Sequence, residues 1–493
     1  MLILSYVVLA IYVLALLYIT GYCVLQFNLL YHYRKAEKSV LPCTEQLDSD
    51  NAWPVVTVQL PIFNERYVVD RLIDRICKLD YPKDRLEIQV LDDSTDDTVA
   101  MSRKKVQEYR AKGFDISLHH RTDRTGYKAG ALKAATTKAK GEFIAIFDAD
   151  FLPRLDFLRQ TIPHFRDEQV GVVQTRWEHI NEDYSIITRL QALQLNVHFT
   201  VEQKGRQAGD YLLQFNGTAG VWRRRTIEEA GGWEADTLTE DLDLSIRAQL
   251  KGWKIEYLEK MGSPAELPAE MNGLKSQQYR WMKGGAETAK KMLPTVWRSD
   301  LQLRQKVQAT SHLLASSIFV VIFVAGVFSV PLIFAVDLIG FDTRWFSWFL
   351  IGWISIAGIY YVGNVEAELD PGPWYKRFVK FVVLFPVFLA LSMGLSLHNT
   401  IAVVQGYIGK QSPFVRTPKF AINDIGDTFS KAKYRNYKIN WTTVFEGLLA
   451  IYFLGGAVLG IQLGSTSFVI FHLMLMFGFG TIFYFTLRHL RVK

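Results

Sequence analysis

The chain has 493 residues, 49% of them hydrophobic, which excludes a wholly soluble enzyme and allows two or three domains. Its net charge of +7 would suit nucleic acid, but no nucleic-acid motif accompanies it and the basic residues gather beside apolar segments, so lipid headgroups and nucleotide phosphates are the expected partners and nucleic acid is not. Ten histidines without metal-ligand spacing argue against zinc, and three scattered cysteines (Cys23, Cys43, Cys77) fit a reducing compartment.

Residues 2 to 30 form an uncharged apolar stretch longer than the roughly 20 residues that cross a bilayer core, which predicts a transmembrane helix over 1–35. Arg34, Lys35 and Lys38 follow it and place the next part of the chain in the cytoplasm by the positive-inside rule. Residues 36–53 are polar and read as a linker. Over 54–275, β-rich runs at 55–60, 87–91, 143–147 and 170–173 alternate with helical stretches at 65–79, 96–111 and 126–139, predicting an α/β domain with a largely parallel sheet. Amphipathic interface helices are expected over 276–305 and transmembrane or interfacial helices over 306–408, where apolar runs lie at 311–336, 345–363 and 378–408. Residues 409–440 read as a cytoplasmic loop, with seven Lys/Arg against two Asp between 410 and 438, and 441–493 as a closing pair of transmembrane helices. An even number of crossings must then separate this loop from the α/β domain, yet three apolar runs intervene. Either 378–408 folds as two short pieces or one of the other runs is not a simple span.

Ligands of open α/β sheets bind beyond the carboxyl ends of the strands. Asp92-Asp93 and Asp148-Ala149-Asp150 both follow predicted strands. The Asp-x-Asp spacing puts two hard oxygen ligands near one point, which suits Mg²⁺ or Mn²⁺ held together with a substrate's phosphates, though a solvated loop would read the same. Asp92-Asp93 suit a nucleotide's base or ribose, or simply open the helix that follows. Arg124 to Gly130 is a glycine-bounded basic turn at a helix start and suits a phosphate, a plain surface lysine being the alternative. Thr239-Glu240-Asp241, with Asp243, crowds three carboxylates into five positions. Their repulsion raises at least one pKa and suits a general base, unless they only serve the helix dipole. In Gln277-x-x-Arg280-Trp281 the arginine suits a diphosphate and the tryptophan a sugar face, while the same pair beside a membrane also makes an interfacial anchor.

Taken together, Gln59 to Glu65, Leu91 to Asp96, Arg124 to Gly130, Phe147 to Phe151, Phe215 to Thr218, Thr239 to Asp241 and Gln277-x-x-Arg280-Trp281 resemble the motifs of processive family 2 glycosyltransferases of the cellulose synthase superfamily. Within it the chain is most similar to the cellulose-synthase-like mannan and glucan synthases. The resemblance implies a GT-A-type, Rossmann-like cytoplasmic domain inserted in an α-helical transmembrane bundle of a bacterial inner membrane or an equivalent plasma membrane. It implies a processive, inverting β-glycosyltransferase that polymerises a hexose from a nucleotide sugar, UDP-glucose before GDP-mannose, and moves the growing polysaccharide across the bilayer. By the same resemblance Asn64, Glu65, Asp92, Asp93, Lys128, Asp148, Gln277, Arg280 and Trp281 hold the nucleotide sugar, and Asp148 and Asp150 hold Mg²⁺ or Mn²⁺. Asp241 is the base, with Glu240 and Thr239 beside it. Phe215, Asn216, Gly217, Thr218 and Trp281 receive the acceptor. Phe414 to Lys419 resembles the family's gating loop through Phe414, Thr417 and Lys419, with Arg416 standing where valine is usual. Two rival readings are an enzyme adding one sugar to a lipid, and a channel or transporter with a nucleotide-binding regulator, which has no need of the acids at 239–241.

Overall fold

The computed structural model describes residues 1–37, 53–367, 369, 372–412, 417, 419, 421 and 440–491. Most of the expected linker and gating-like loop, Phe414 included, lies outside them. Seven strands, β1 (Val56–Ile62), β2 (Leu86–Asp92), β3 (Asp115–His120), β4 (Phe143–Ile146), β5 (Val170–His179), β6 (Gly220–Arg223) and β7 (Lys254–Ala265), form one sheet in the order β3-β2-β1-β4-β6-β5-β7. β1 to β4 are parallel, β6 runs antiparallel between β4 and β5, and β7 returns parallel to β5. The sheet is thus largely parallel, as the sequence reading expects, and β6 alone makes it mixed.

β2 and β4 are buried along their whole length, and β1 at all but one position, because helices cover both faces of the sheet. Strands covered on both faces read as continuous apolar runs rather than alternating ones. One apolar layer gathers Val58, Leu60, Ile73, Val90 and Phe157, and the other Leu132, Ile144, Phe199, Trp222 and Leu244. The carboxyl ends of β1, β2 and β4 bring the segments at 62–65, 92–95 and 147–151 to one rim of the sheet.

Among the described residues, six helices are long and apolar enough to cross a membrane: Leu2–Ala36, Ala315–Ile339, Thr343–Glu366, Trp374–Gly394, Trp441–Gln462 and Thr466–Arg488. They expose Leu14, Ile354, Ile451 and Ile470 on their outer faces, as a bundle surrounded by hydrocarbon does. The apolar run at 378–408 is broken at Leu395 into Trp374–Gly394 and Ser396–Tyr407. Near its start, Lys380 pairs with Glu182 of the α/β domain at 2.8 Å. At its end, the Tyr407 carbonyl accepts from Lys290 of the interface helix Met271–Arg298 at 2.9 Å. Both ends thus lie on the domain's side, and so does the break between them, where His398 bonds the Lys275 carbonyl of the interface helix at 2.9 Å. The break fits because of glycine: a methyl group on Gly394 would fall 2.4 Å from the Gly478 backbone, and one on Gly478 would fall 1.9 Å from the Ala390 carbonyl.

Lys275 of the interface helix meets Glu446 of the helix Trp441–Gln462 at 2.7 Å, with side-chain exposures of 8% and 0%. Removing one partner of a buried pair strands the other's charge. Lys275→Met should therefore lower stability by about 3–5 kcal/mol, and adding Glu446→Leu should recover most of the loss. Thermal unfolding of the detergent-solubilised chain measures both.

Candidate active site

Where the strand ends meet the interface helix lies a cleft of about 230 Å³. Glu65, Asp93, Lys128, Asp148, Asp150, Asn216, Gly217, Thr239, Glu240, Asp241, Gln277, Arg280, Trp281, Thr417 and Lys419 all line it, so segments far apart in the chain converge there. Asn64, Asp92, Phe215 and Thr218 do not.

The four exceptions have structural work. Asp92 is wholly buried and its Oδ1 accepts the Ser94 N–H at 2.8 Å, closing an Asx turn. Asn64, at φ +54°, donates its N–H to Ser94 Oγ at 2.7 Å and accepts the Thr95 N–H at 2.8 Å, lacing the end of β1 to that of β2. Phe215 is fully buried against Trp222. Thr218, also fully buried, accepts the Asp148 N–H through Oγ1 at 2.8 Å and so fixes the Asp-x-Asp turn from beneath.

Lys128 sits in the first turn of the helix Tyr127–Thr136. Gly130 has to be glycine there, since a methyl group would lie 2.1 Å from the Thr125 carbonyl. Lys128 Nζ donates to Asp148 Oδ1 at 2.5 Å and to the Gly217 carbonyl at 2.8 Å. Burial pulls its pKa down, but Asp148, Glu240 and Asp241 more than reverse this, and the net direction is up. Asp150 accepts from Lys419 at 2.5 Å, and Lys419 also donates to the Glu266 carbonyl at 2.8 Å. The two carboxylates of the Asp-x-Asp turn are thus each balanced by a lysine brought from another part of the chain. Hard oxygens that already gather cations fit Mg²⁺ or Mn²⁺.

Three further carboxylates, on Glu234, Asp236 and Asp243, come within 4.8 Å of one another outside this cleft. The Lys291 ammonium lies among them, at 2.6, 2.8 and 3.1 Å, so the group is an internal ion cluster and Asp148 and Asp150 remain the candidate metal ligands.

Thr239 precedes the helix Glu240–Leu250, which carries Glu240 and Asp241 in its first turn. Burial, then the charge of Glu240, pushes the Asp241 carboxyl up to about 7, with Lys128 pulling the other way. Glu240 is raised as well, by burial first. Gly217, at φ +79°, faces Asp241, and a methyl group on it would come 3.0 Å from Asp241 Oδ2. That opening beside a carboxyl poised near neutrality is what a general base requires.

Gln277, Arg280 and Trp281 share one face of the interface helix. Arg280 donates to Thr417 Oγ1 at 2.8 Å. Burial lowers its pKa, while Asp148, Glu240, Asp150 and Glu65 favour its charge.

Several cleft residues escaped the sequence reading. Asp93, expected at the nucleotide, is held through both oxygens by Arg121, at 2.8 and 2.5 Å, so that arginine belongs to the same corner. Arg124, which the sequence reading placed in its phosphate turn, sets its guanidinium 3.3 Å over the ring of Phe63 from the Gln59–Glu65 motif, and both line the cleft. Trp177 and His179 also line it, from the far half of β5. Burial, then Arg176, brings His179 down to about 3, so its ring is neutral. The i, i+2 spacing of Trp177 and His179 was the available signal.

Residues 54–284 match the family described as "Glycosyltransferase like family 2". Glucomannan 4-beta-mannosyltransferase 1 of Oryza sativa subsp. japonica is 45% identical over 254 residues, 50% of this chain and 49% of that protein. Glucomannan 4-beta-mannosyltransferase 2 of Arabidopsis thaliana is 45% identical over 260 residues, 52% and 48% of the two chains. The chain spans about half the length of the curated relatives it matches. The mannosyltransferase PcManGT from Pyrobaculum calidifontis, solved in complex with GDP-Man and Mn²⁺, superposes with a TM-score of 0.51 at 19% identity, covering 82% of this chain and 100% of that one, a likeness of fold. Residues 54–284 are therefore a family 2 glycosyltransferase domain with a GT-A-like mixed sheet, carried by an integral membrane chain.

Proposed function

We propose that the protein is a processive, inverting β-mannosyltransferase that takes mannose from GDP-mannose, with its catalytic domain facing the cytoplasm, and passes a growing β-linked polysaccharide into the membrane bundle. One observation carries this reading: Lys128, Asp148, Asp241 and Arg280 meet in a single cleft whose wall is the helix that packs on the membrane segments. The sequence reading put UDP-glucose first. The 45% identity to glucomannan 4-beta-mannosyltransferases favours GDP-mannose instead.

Asp241 takes the proton of the acceptor hydroxyl, whose oxygen attacks the anomeric carbon of the donor as the bond to GDP breaks. A single displacement on an α-linked donor leaves a β-glycoside. Lys128 and Arg280 stabilise the charge that develops on the leaving diphosphate. Asp148 and Asp150 would hold the divalent ion, which when bound supplies further positive charge to that group. Trp281 gives the acceptor sugar an apolar face, and the cleft as a whole keeps donor and acceptor in line.

The test is incorporation from radiolabelled GDP-mannose and UDP-glucose into polymer by the purified chain, followed by digestion with an endo-β-mannanase. Long, mannanase-sensitive product from GDP-mannose is expected. Label from UDP-glucose alone, or a product one sugar longer on a lipid, would overturn the donor or the processivity. The base also fixes a pH dependence. It works deprotonated, so kcat/KM should rise as pH increases through about 7 and level off above, as a rate profile in the presence of saturating Mn²⁺ would read.

A further inference from the structure

We infer that Glu287 and Thr288 of the interface helix are positioning residues that clamp the segment 238–241 and so hold Asp241 at the acceptor; this rests on Asp241 being the base. Four contacts, at positions 284, 287, 288 and 291, run down one stripe of the helix Met271–Arg298 at the i, i+3, i+4, i+7 spacing that lines up a helical face. The Leu238 N–H donates to Glu287 Oε2 at 2.9 Å. The hydroxyls of Thr239 and Thr288 meet at 3.0 Å, and Thr288 is wholly buried. At Gly284 the two backbones touch: a methyl group there would fall 2.6 Å from Thr239 Cγ2 and 2.9 Å from its nitrogen. One turn further on, Lys291 gathers Glu234, Asp236 and Asp243, which flank the segment on both sides.

A second stripe, about a third of the way round the helix at 100° per residue, holds the returning membrane helix Ser396–Tyr407. Tyr279 donates to Gln405 Oε1 at 2.6 Å, and Lys290 to the Tyr407 carbonyl at 2.9 Å. Gly406 lies so close that a methyl group on it would meet the Lys283 carbonyl at 2.6 Å. Lys283 Nζ also caps the Lys410 carbonyl at 2.5 Å. The interface helix is thus a plate with the base segment on one stripe and a membrane helix on the next. Neither Glu287 nor Thr288 lines the cleft; both hold 238–241 from behind, and Glu287 Oε1 also lies 3.6 Å from the Lys283 ammonium.

The experiment uses the full chain in detergent with Glu287→Ala, Thr288→Val, Glu287→Gln, Thr288→Ser and Asp241→Asn in parallel. Glu287→Ala and Thr288→Val should each lower kcat about tenfold, the scale of one lost hydrogen bond, with the KM for GDP-mannose and the affinity for GDP unchanged. Thr288→Ser and Glu287→Gln, which keep the hydroxyl and an acceptor oxygen, should restore kcat. Wild-type kcat in Glu287→Ala and Thr288→Val beside an inactive Asp241→Asn would overturn the clamp and leave the base standing. Full turnover in Asp241→Asn would overturn both. A loss of GDP affinity together with a lowered thermal midpoint, not restored by the conservative variants, would show plain scaffolding and also overturn the clamp.

Discussion

Asp241→Asn should reduce sugar transfer by about a thousandfold, within the range that a positioned general base contributes, and leave GDP binding intact. The substitution keeps shape and an acceptor oxygen, so the 2.9 Å bond from the Leu242 N–H to Oδ1 survives and the helix start is undisturbed. Only proton acceptance is lost. Transfer assays under single-turnover conditions, beside calorimetric titration with GDP, separate the two effects. Unimpaired transfer would remove Asp241 from the chemistry and with it the assignment of this end of the cleft.

Lys128→Met should cost about a hundredfold to a thousandfold in kcat, the scale of removing one preorganised group that stabilises developing charge. Unlike the Asp241 variant it should weaken GDP binding as well, because the ammonium serves the diphosphate in ground and transition states alike. It carries a second signature. Lys128 pulls the Asp241 carboxyl down, so removing its charge lets that carboxyl rise further above about 7. The acid limb of the rate profile should move to higher pH in the residual activity. A limb that stayed in place would mean that Lys128 and Asp241 do not share a field.

β1, β2 and β4 were readable because strands buried on both faces leave unbroken apolar runs next to turn residues. β3, β6 and β7 were not. β3 is an edge strand with mostly polar or half-exposed positions, β6 has four residues and runs against its neighbours, and β7 mixes charged residues with a register shift opposite Thr175 and Arg176. The site was legible to a similar depth. Motifs marked the loops that reach the cleft, because acids and lysines following apolar strands stand out. They did not separate side chains that face a ligand from those that hold the loop, which is why Asn64, Asp92, Phe215 and Thr218 were placed at the cleft although they brace it. Pairings across the chain left no local trace at all: Arg121 takes Asp93 from 28 positions away and Lys419 takes Asp150 from 269.

The helix pair at 374–407, whose two ends face the glycosyltransferase domain, has an electrical corollary. At the domain-side ends of the apolar helices stand Arg34, Lys35, Lys376, Arg377 and Lys410, of which Arg34 pairs with Glu366. The turns at the far ends of the helices, around 340–344 and 463–466, hold only Asp342 and Arg344, which neutralise each other in a 2.7 Å pair. A surplus of positive charge thus marks the domain end of the helices and is missing from the far end, an asymmetry that anionic headgroups would hold on one side only.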